Sequence, residues 1–116
     1  MRRLLIVDDS IVVRQQVTVC LQDDDYDIVE ASDGLQGKKM CETQSFDLLI
    51  LDVNMPSLTG LDMLKEVRKL PGYASTPVCF LTARSEKLHQ KVVDELGTAI
   101  WILKPFSPNA LRKGVE

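Results

Sequence analysis

No apolar run in this 116-residue chain is long enough to cross a membrane: Arg2 and Arg3 precede one, but Asp8 and Asp9 interrupt it after residue 7. A bilayer core needs about 20 consecutive apolar residues, so neither a membrane span nor a secretory leader is expected. An excess of basic charge is missing too. Lys and Arg total 14 against 17 Asp and Glu, for a net charge of -3, and the basic residues are scattered rather than gathered into a stripe. Direct nucleic-acid binding by this chain is therefore not expected. Cysteine is scarce: Cys20, Cys41 and Cys79 form an odd set without CxxC spacing, each within or beside an apolar stretch. Buried reduced thiols suit a cytoplasmic protein. The single histidine, His89, stands among Glu86, Lys87, Gln90 and Lys91 and reads as a solvated surface position. Internal repeats, linkers and low-complexity stretches are also absent, so residues 1–116 read as one domain whose output lies outside the chain.

What is present is enough to fold. Apolar residues make up 45% of the chain and charged residues 27%, a balance too apolar for a disordered tail. Short apolar runs at residues 4–7, 28–31, 48–51, 78–81 and 100–103 alternate with longer amphipathic segments. That alternation predicts βα units around a parallel sheet. Apart from Glu30 the runs are apolar throughout rather than alternating with polar residues, which predicts five strands covered on both faces. A first helix is expected over about 10–21, with Val13, Val17, Cys20 and Leu21 on one face, and a second over 35–43, weakened by Gly37. Residues 60–70 read as a third helix stopped by Pro71-Gly72. Ser85 caps a fourth ending near Leu96, and Ser107-Pro108 opens a last one.

In parallel α/β sheets ligands bind beyond the carboxyl ends of the strands, so the residues following each run are the informative ones. The first run ends in Asp8-Asp9, the third in Asp52, the fourth in Thr82-Ala83 and the fifth in Lys104-Pro105. Three carboxylates brought together repel one another and call for a cation. Carboxylate oxygens with room for water suit Mg²⁺, and Mn²⁺ can substitute. Three negative charges against two from Mg²⁺ and one from Lys104 then balance. A phosphoryl group adds charge and three acceptor oxygens, for which the metal, the Lys104 ammonium, the Thr82 hydroxyl and backbone N–H groups are the partners. Aspartate can attack phosphorus and become an aspartyl phosphate, and Asp52, at the end of the LLILD run, is the best placed to do so. The Asn54-Met55-Pro56 loop behind it can turn a backbone carbonyl toward the metal, and Gly60 relieves the tight turn into the third helix.

Four motifs in order, from LLIVDDS near the start to ILKPF near the end, resemble the receiver domains of bacterial response regulators across nearly the whole chain. The resemblance implies a doubly wound, flavodoxin-like (CheY-like) α/β fold with five parallel strands in the order 2-1-3-4-5. It implies a phosphoacceptor in a two-component phosphorelay, not an enzyme acting on an external substrate. Its expected partners are a histidine kinase or histidine phosphotransfer protein upstream, and a target protein or an effector domain outside the chain downstream. Residue by residue, it makes Asp52 the phosphorylation site, Asp9 a direct metal ligand, Asp8 one acting through water, and Asn54 the donor of a backbone carbonyl to the metal. It makes Thr82 the hydroxyl and Ala83 the backbone donor for the phosphoryl group, Lys104 its cation, and Pro105 the residue after a cis peptide bond that aims Lys104. Trp101 stands where the family has a Tyr or Phe that swings inward with the threonine; indole is bulkier and donates only from its ring nitrogen. The tail after Phe106 is shorter than the family's final helix, which points either to a chain cut from a longer protein, the favoured reading, or to a domain that ends early.

Read singly, these features have plainer meanings. Asp8-Asp9-Ser10 can be a helix start, Asp52 a turn residue, and Lys104-Pro105 a strand exit; together and in strand order they leave little room for that. Met40, Met55 and Met63 read as packing, and Asp23 to Asp25 as a solvated turn without the spacing of a calcium loop. An aspartyl-phosphate-forming phosphatase would place a second acid two positions after the nucleophile, where Asn54 stands. A flavin-phosphate module would need a Ser/Thr/Gly-rich cradle after the first strand, where Asp8 and Asp9 repel phosphate. A receiver that serves only as an unphosphorylated protein-binding platform is disfavoured because every expected site residue is present.

Overall fold

The computed structural model describes residues 2–21, 26–53, 58–82, 100–104, 106–108 and 110–111. In chain order these form β1 (Arg2–Val7), α1 (Ile11–Leu21), β2 (Tyr26–Ala31), α2 (Gly34–Thr43), β3 (Leu48–Asp52), α3 (Gly60–Val67), β4 (Val78–Thr82) and β5 (Ile100–Leu103). All five strands join one parallel sheet in the order β2-β1-β3-β4-β5. The fourth helix expected from Ser85, the Asp23 to Asp25 turn and His89 lie outside the described residues. Among the described residues no helix is long and apolar enough to cross a membrane.

Two apolar layers explain why the runs carry no visible alternation. Leu5, Val7, Leu49, Leu51, Val78 and Phe80 face one cluster, with Cys41, Met63, Leu64 and Val67 from α2 and α3. Leu4, Ile6, Leu48, Ile50, Cys79 and Leu81 face the other, with Val17 and Leu21 from α1. The period of two is intact, but both faces bury apolar side chains. β2 departs from that expectation. As an edge strand it leaves Asp27 and Glu30 exposed and its remaining apolar residues only half-buried until Ala31. Cys20 is also half-buried, whereas Cys41 and Cys79 are buried as expected.

Helix boundaries follow local hydrogen bonding. The Ser10 hydroxyl accepts from the Val13 N–H at 3.3 Å, and the Asp33 carboxylate, capping α2, accepts from the Gln36 N–H at 2.8 Å. Gly37 does not break α2. A Cβ there would sit 2.8 Å from both Met63 Cε and Val7 Cγ2, so glycine lets the helix pack directly onto β1 and α3. α3 ends at Val67, earlier than expected, where the backbone tightens: Lys69 N–H donates to Glu66 and Leu70 N–H to Val67, before Pro71 and the positive-φ Gly72. After β5, the Ser107 hydroxyl accepts from the Ala110 N–H at 3.1 Å, opening the helical turn that buries Leu111 against the second cluster.

Candidate functional site

The strand order decides which chain ends meet. β1, β3, β4 and β5 lie side by side, so Asp8, Asp52, Thr82 and Lys104 follow one another along the carboxyl edge of the sheet. Asp52 closes β3 opposite Leu81, Thr82 closes β4 opposite Leu103, and Lys104 N–H donates to the Thr82 carbonyl at 2.7 Å. Asp8 is fully buried, Asp52 and Thr82 nearly so, while Asp9 faces solvent. Acid groups do not stay at such depth without partners.

Those partners are present. One carboxylate oxygen of each of Asp8, Asp9 and Asp52 lies within 4.8 Å of the others. Lys104 Nζ stands 2.8 Å from Asp8 Oδ2 and 3.2 Å from Asp52 Oδ1. The other Asp8 oxygen accepts from the Ser10 N–H at 2.9 Å. Burial by itself pulls the Lys104 ammonium down, but the hydrogen bond to Asp8 and the charges of Asp52 and Asp8 outweigh it, and its pKa is held above the ordinary value. Among these four described residues, three carboxylates against one ammonium give a formal excess of two negative charges. The donor set is of the kind a hard divalent cation takes, carboxylate oxygens gathered within 4.8 Å of one another.

Of the residues expected at the site, Asp8, Asp9, Asp52 and Lys104 come together and Thr82 lies beside them. Trp101 holds a register position in β5 opposite Phe80, two residues before the partner of Thr82. Asn54, Ala83 and Pro105, and with Pro105 its peptide bond, lie outside the described residues. Gly60 has a different role from the one expected: its φ is not positive, but a Cβ there would collide with the Asp52 carbonyl oxygen, because Gly60 N–H donates to Val53 O at 3.1 Å and draws α3 against the end of β3.

Two site neighbours were not legible beforehand. Arg14 Nη1 donates to the Asp8 carbonyl at 2.5 Å, and its Nε pairs with Glu30 Oε1 at 3.0 Å. The only sequence signal was an arginine between Val13 and Val17, at the border of the helix's buried face, where a guanidinium needs acceptors.

Comparison with known proteins agrees with this fold. The profile of the response regulator receiver domain matches residues 4–116. The structure of the chemotaxis protein CheY4 from Vibrio cholerae resembles this one with a TM-score of 0.92 and 37% identity, covering 99% of this chain and 96% of that one. The alkaline phosphatase synthesis transcriptional regulatory protein PhoP of Bacillus subtilis is 33% identical over 99% of this chain and 47% of its own length. The transcriptional regulatory protein CpxR homolog of Haemophilus influenzae is 36% identical over 96% of this chain and 47% of its own. The chain thus spans about half the length of the curated relatives it matches.

Proposed function

Because the chain belongs to the response regulator receiver domain family, we propose that Asp52 accepts a phosphoryl group from a histidine kinase or a histidine phosphotransfer protein. One observation carries the reading: a single lysine, Lys104, bonds a buried Asp8 and the strand-terminal Asp52 inside a three-carboxylate cluster. A helix cap or a strand exit has no need of that convergence. An Asp52 oxygen attacks phosphorus, and the bond from phosphorus to the donor imidazole nitrogen breaks with its electron pair on nitrogen.

Asp9 and Asp52 would hold Mg²⁺ directly, with the Asn54 carbonyl, and Mn²⁺ can substitute. Asp8 acts through water, in keeping with its oxygens already accepting from Ser10 and Lys104. Bound Mg²⁺ neutralises charge on the transferring oxygens and orients them. Lys104 exchanges its contact with Asp52 for one with the new phosphoryl group, and the Thr82 hydroxyl and the Ala83 N–H donate to the remaining oxygens. Movement of Thr82 is coupled to Trp101 in β5 and changes the surface that a target reads. The output belongs to a target protein or to an effector domain outside this chain, which is in line with relatives of about twice its length being named transcriptional regulators. A cytoplasmic location fits that role.

Incubation with Mg²⁺ and acetyl phosphate, followed by intact mass measurement, tests the proposal. The expected result is the gain of one phosphoryl group, lost in Asp52→Asn. No gain in the wild type, or a gain that persists in the variant, removes it. Repeated turnover of a phosphomonoester would point instead to a phosphatase.

A further inference from the structure

The three carboxylates are not held alike. Asp8 is fixed from two sides, by the Ser10 N–H at 2.9 Å and by Lys104 at 2.8 Å, and Asp52 ends a buried strand with Lys104 at 3.2 Å. Asp9 is exposed, and among the described residues no hydrogen bond or ion pair holds its carboxylate. Its position is therefore set through the backbone. The peptide joining Asp8 to Asp9 is planar, so whatever fixes the Asp8 carbonyl also fixes the Asp9 N–H and the direction of the Asp9 Cα. That carbonyl accepts from Arg14 Nη1. Arg14 in turn is steadied by Glu30 near the end of β2, and its side chain is only 14% exposed.

We propose that Arg14 is a positioning residue for the divalent cation: held by Glu30, it orients the Asp8–Asp9 peptide and so sets where the Asp9 carboxylate stands. The inference rests on the receiver reading above, in which Asp9 is a direct ligand. A guanidinium is suited to the task because its rigid fork holds two acceptors at a fixed angle, which an ammonium on a flexible stem does not. Charge alone predicts the opposite effect. Arg14 is a cation beside a cation site, so removing it on Coulomb grounds alone would tighten binding of a second cation. Positioning predicts weaker binding.

Calorimetric titration of Mg²⁺ into the purified chain separates the two, with thermal unfolding in chelator as the control for folding. Arg14→Met is expected to weaken Mg²⁺ binding about tenfold, in the range of lost support around a metal ligand, and Arg14→Lys nearly as much although it keeps the charge. Glu30→Gln is expected to shift affinity the same way by roughly threefold. Unchanged or tighter binding by Arg14→Met overturns the inference. If Arg14→Met does not fold, unchanged affinity in both Arg14→Lys and Glu30→Gln overturns it equally. A wild type that neither binds Mg²⁺ nor takes a phosphoryl group at Asp52 sinks the receiver reading and this inference together; a wild type that does both, alongside unaffected variants, sinks this inference alone.

Discussion

Replacing Asp9 by Asn should stabilise the protein in chelator and destabilise it, relative to wild type, in Mg²⁺. The magnitude comes from the cluster. At 4.8 Å, the outer limit of the cluster, two unit charges interact by about 0.9 kcal/mol at the dielectric of water and about 3.5 kcal/mol at an effective constant of 20. Asp9 is exposed, so the solvent-side value applies. Two repulsions, from Asp8 and Asp52, set against a comparable attraction to Lys104 leave about 1 kcal/mol to be gained by neutralising it. No side-chain hydrogen bond among the described residues is lost in return. For a domain of this size that gain raises the melting temperature by about 4 °C. With Mg²⁺ at a hundred times its dissociation constant the wild type gains about 2.7 kcal/mol, and the variant, short of a ligand, gains far less. Circular dichroism melts of both proteins in EDTA and in Mg²⁺ should therefore cross in order. A variant less stable than wild type in EDTA, or an equal Mg²⁺ shift in both, refutes the reasoning.

Other consequences are as direct. Gly60→Ala pushes a methyl group into the Asp52 carbonyl and should lower stability by about 2 kcal/mol, read from the urea midpoint, while slowing phosphorylation by acetyl phosphate; an unchanged midpoint contradicts the packing described here. Burial pushes the Cys79 thiol up to about 12 and, with Cys41, which rises to about 11, keeps both protonated in the folded state. The unfolded chain loses these protons near pH 9, so stability is complete below that pH and falls as pH rises from 9 toward about 11 for Cys41 and about 12 for Cys79, by up to about 1.4 kcal/mol per pH unit for each thiol; a flat alkaline stability profile would contradict this. A thiol reagent at pH 8 should label the half-buried Cys20 quickly and the other two only at the rate of unfolding; three fast labels would mean an open core. Trp101 is the only tryptophan, so its emission should change on phosphorylation and lose that response in Thr82→Ala; emission unmoved by phosphorylation in the wild type removes Trp101 from the switch.

Much of this architecture could be read directly from residue order. Short, mainly apolar runs placed all five strands, and for β1, β3 and β4 the reason is that a strand buried on both faces must be apolar along its length. The polar residues after those runs named the acidic and lysine positions, because a parallel sheet delivers all its carboxyl ends to one edge. Local signals carried no information about neighbours in space. That β2 lies at the edge with half-buried side chains, that Gly37 serves contact with Val7 and Met63, and that Gly60 makes room for the Asp52 carbonyl follow from which surfaces meet after folding. The division of labour among the acids was equally hidden. Asp8 and Asp9 are adjacent in the chain and alike in chemistry, yet one is enclosed by Lys104, Ser10 and the sheet while the other faces water. Only folding separates them, by bringing the Lys104 side chain from beyond β5 to Asp8 at the end of β1, a contact between residues 96 apart in the chain.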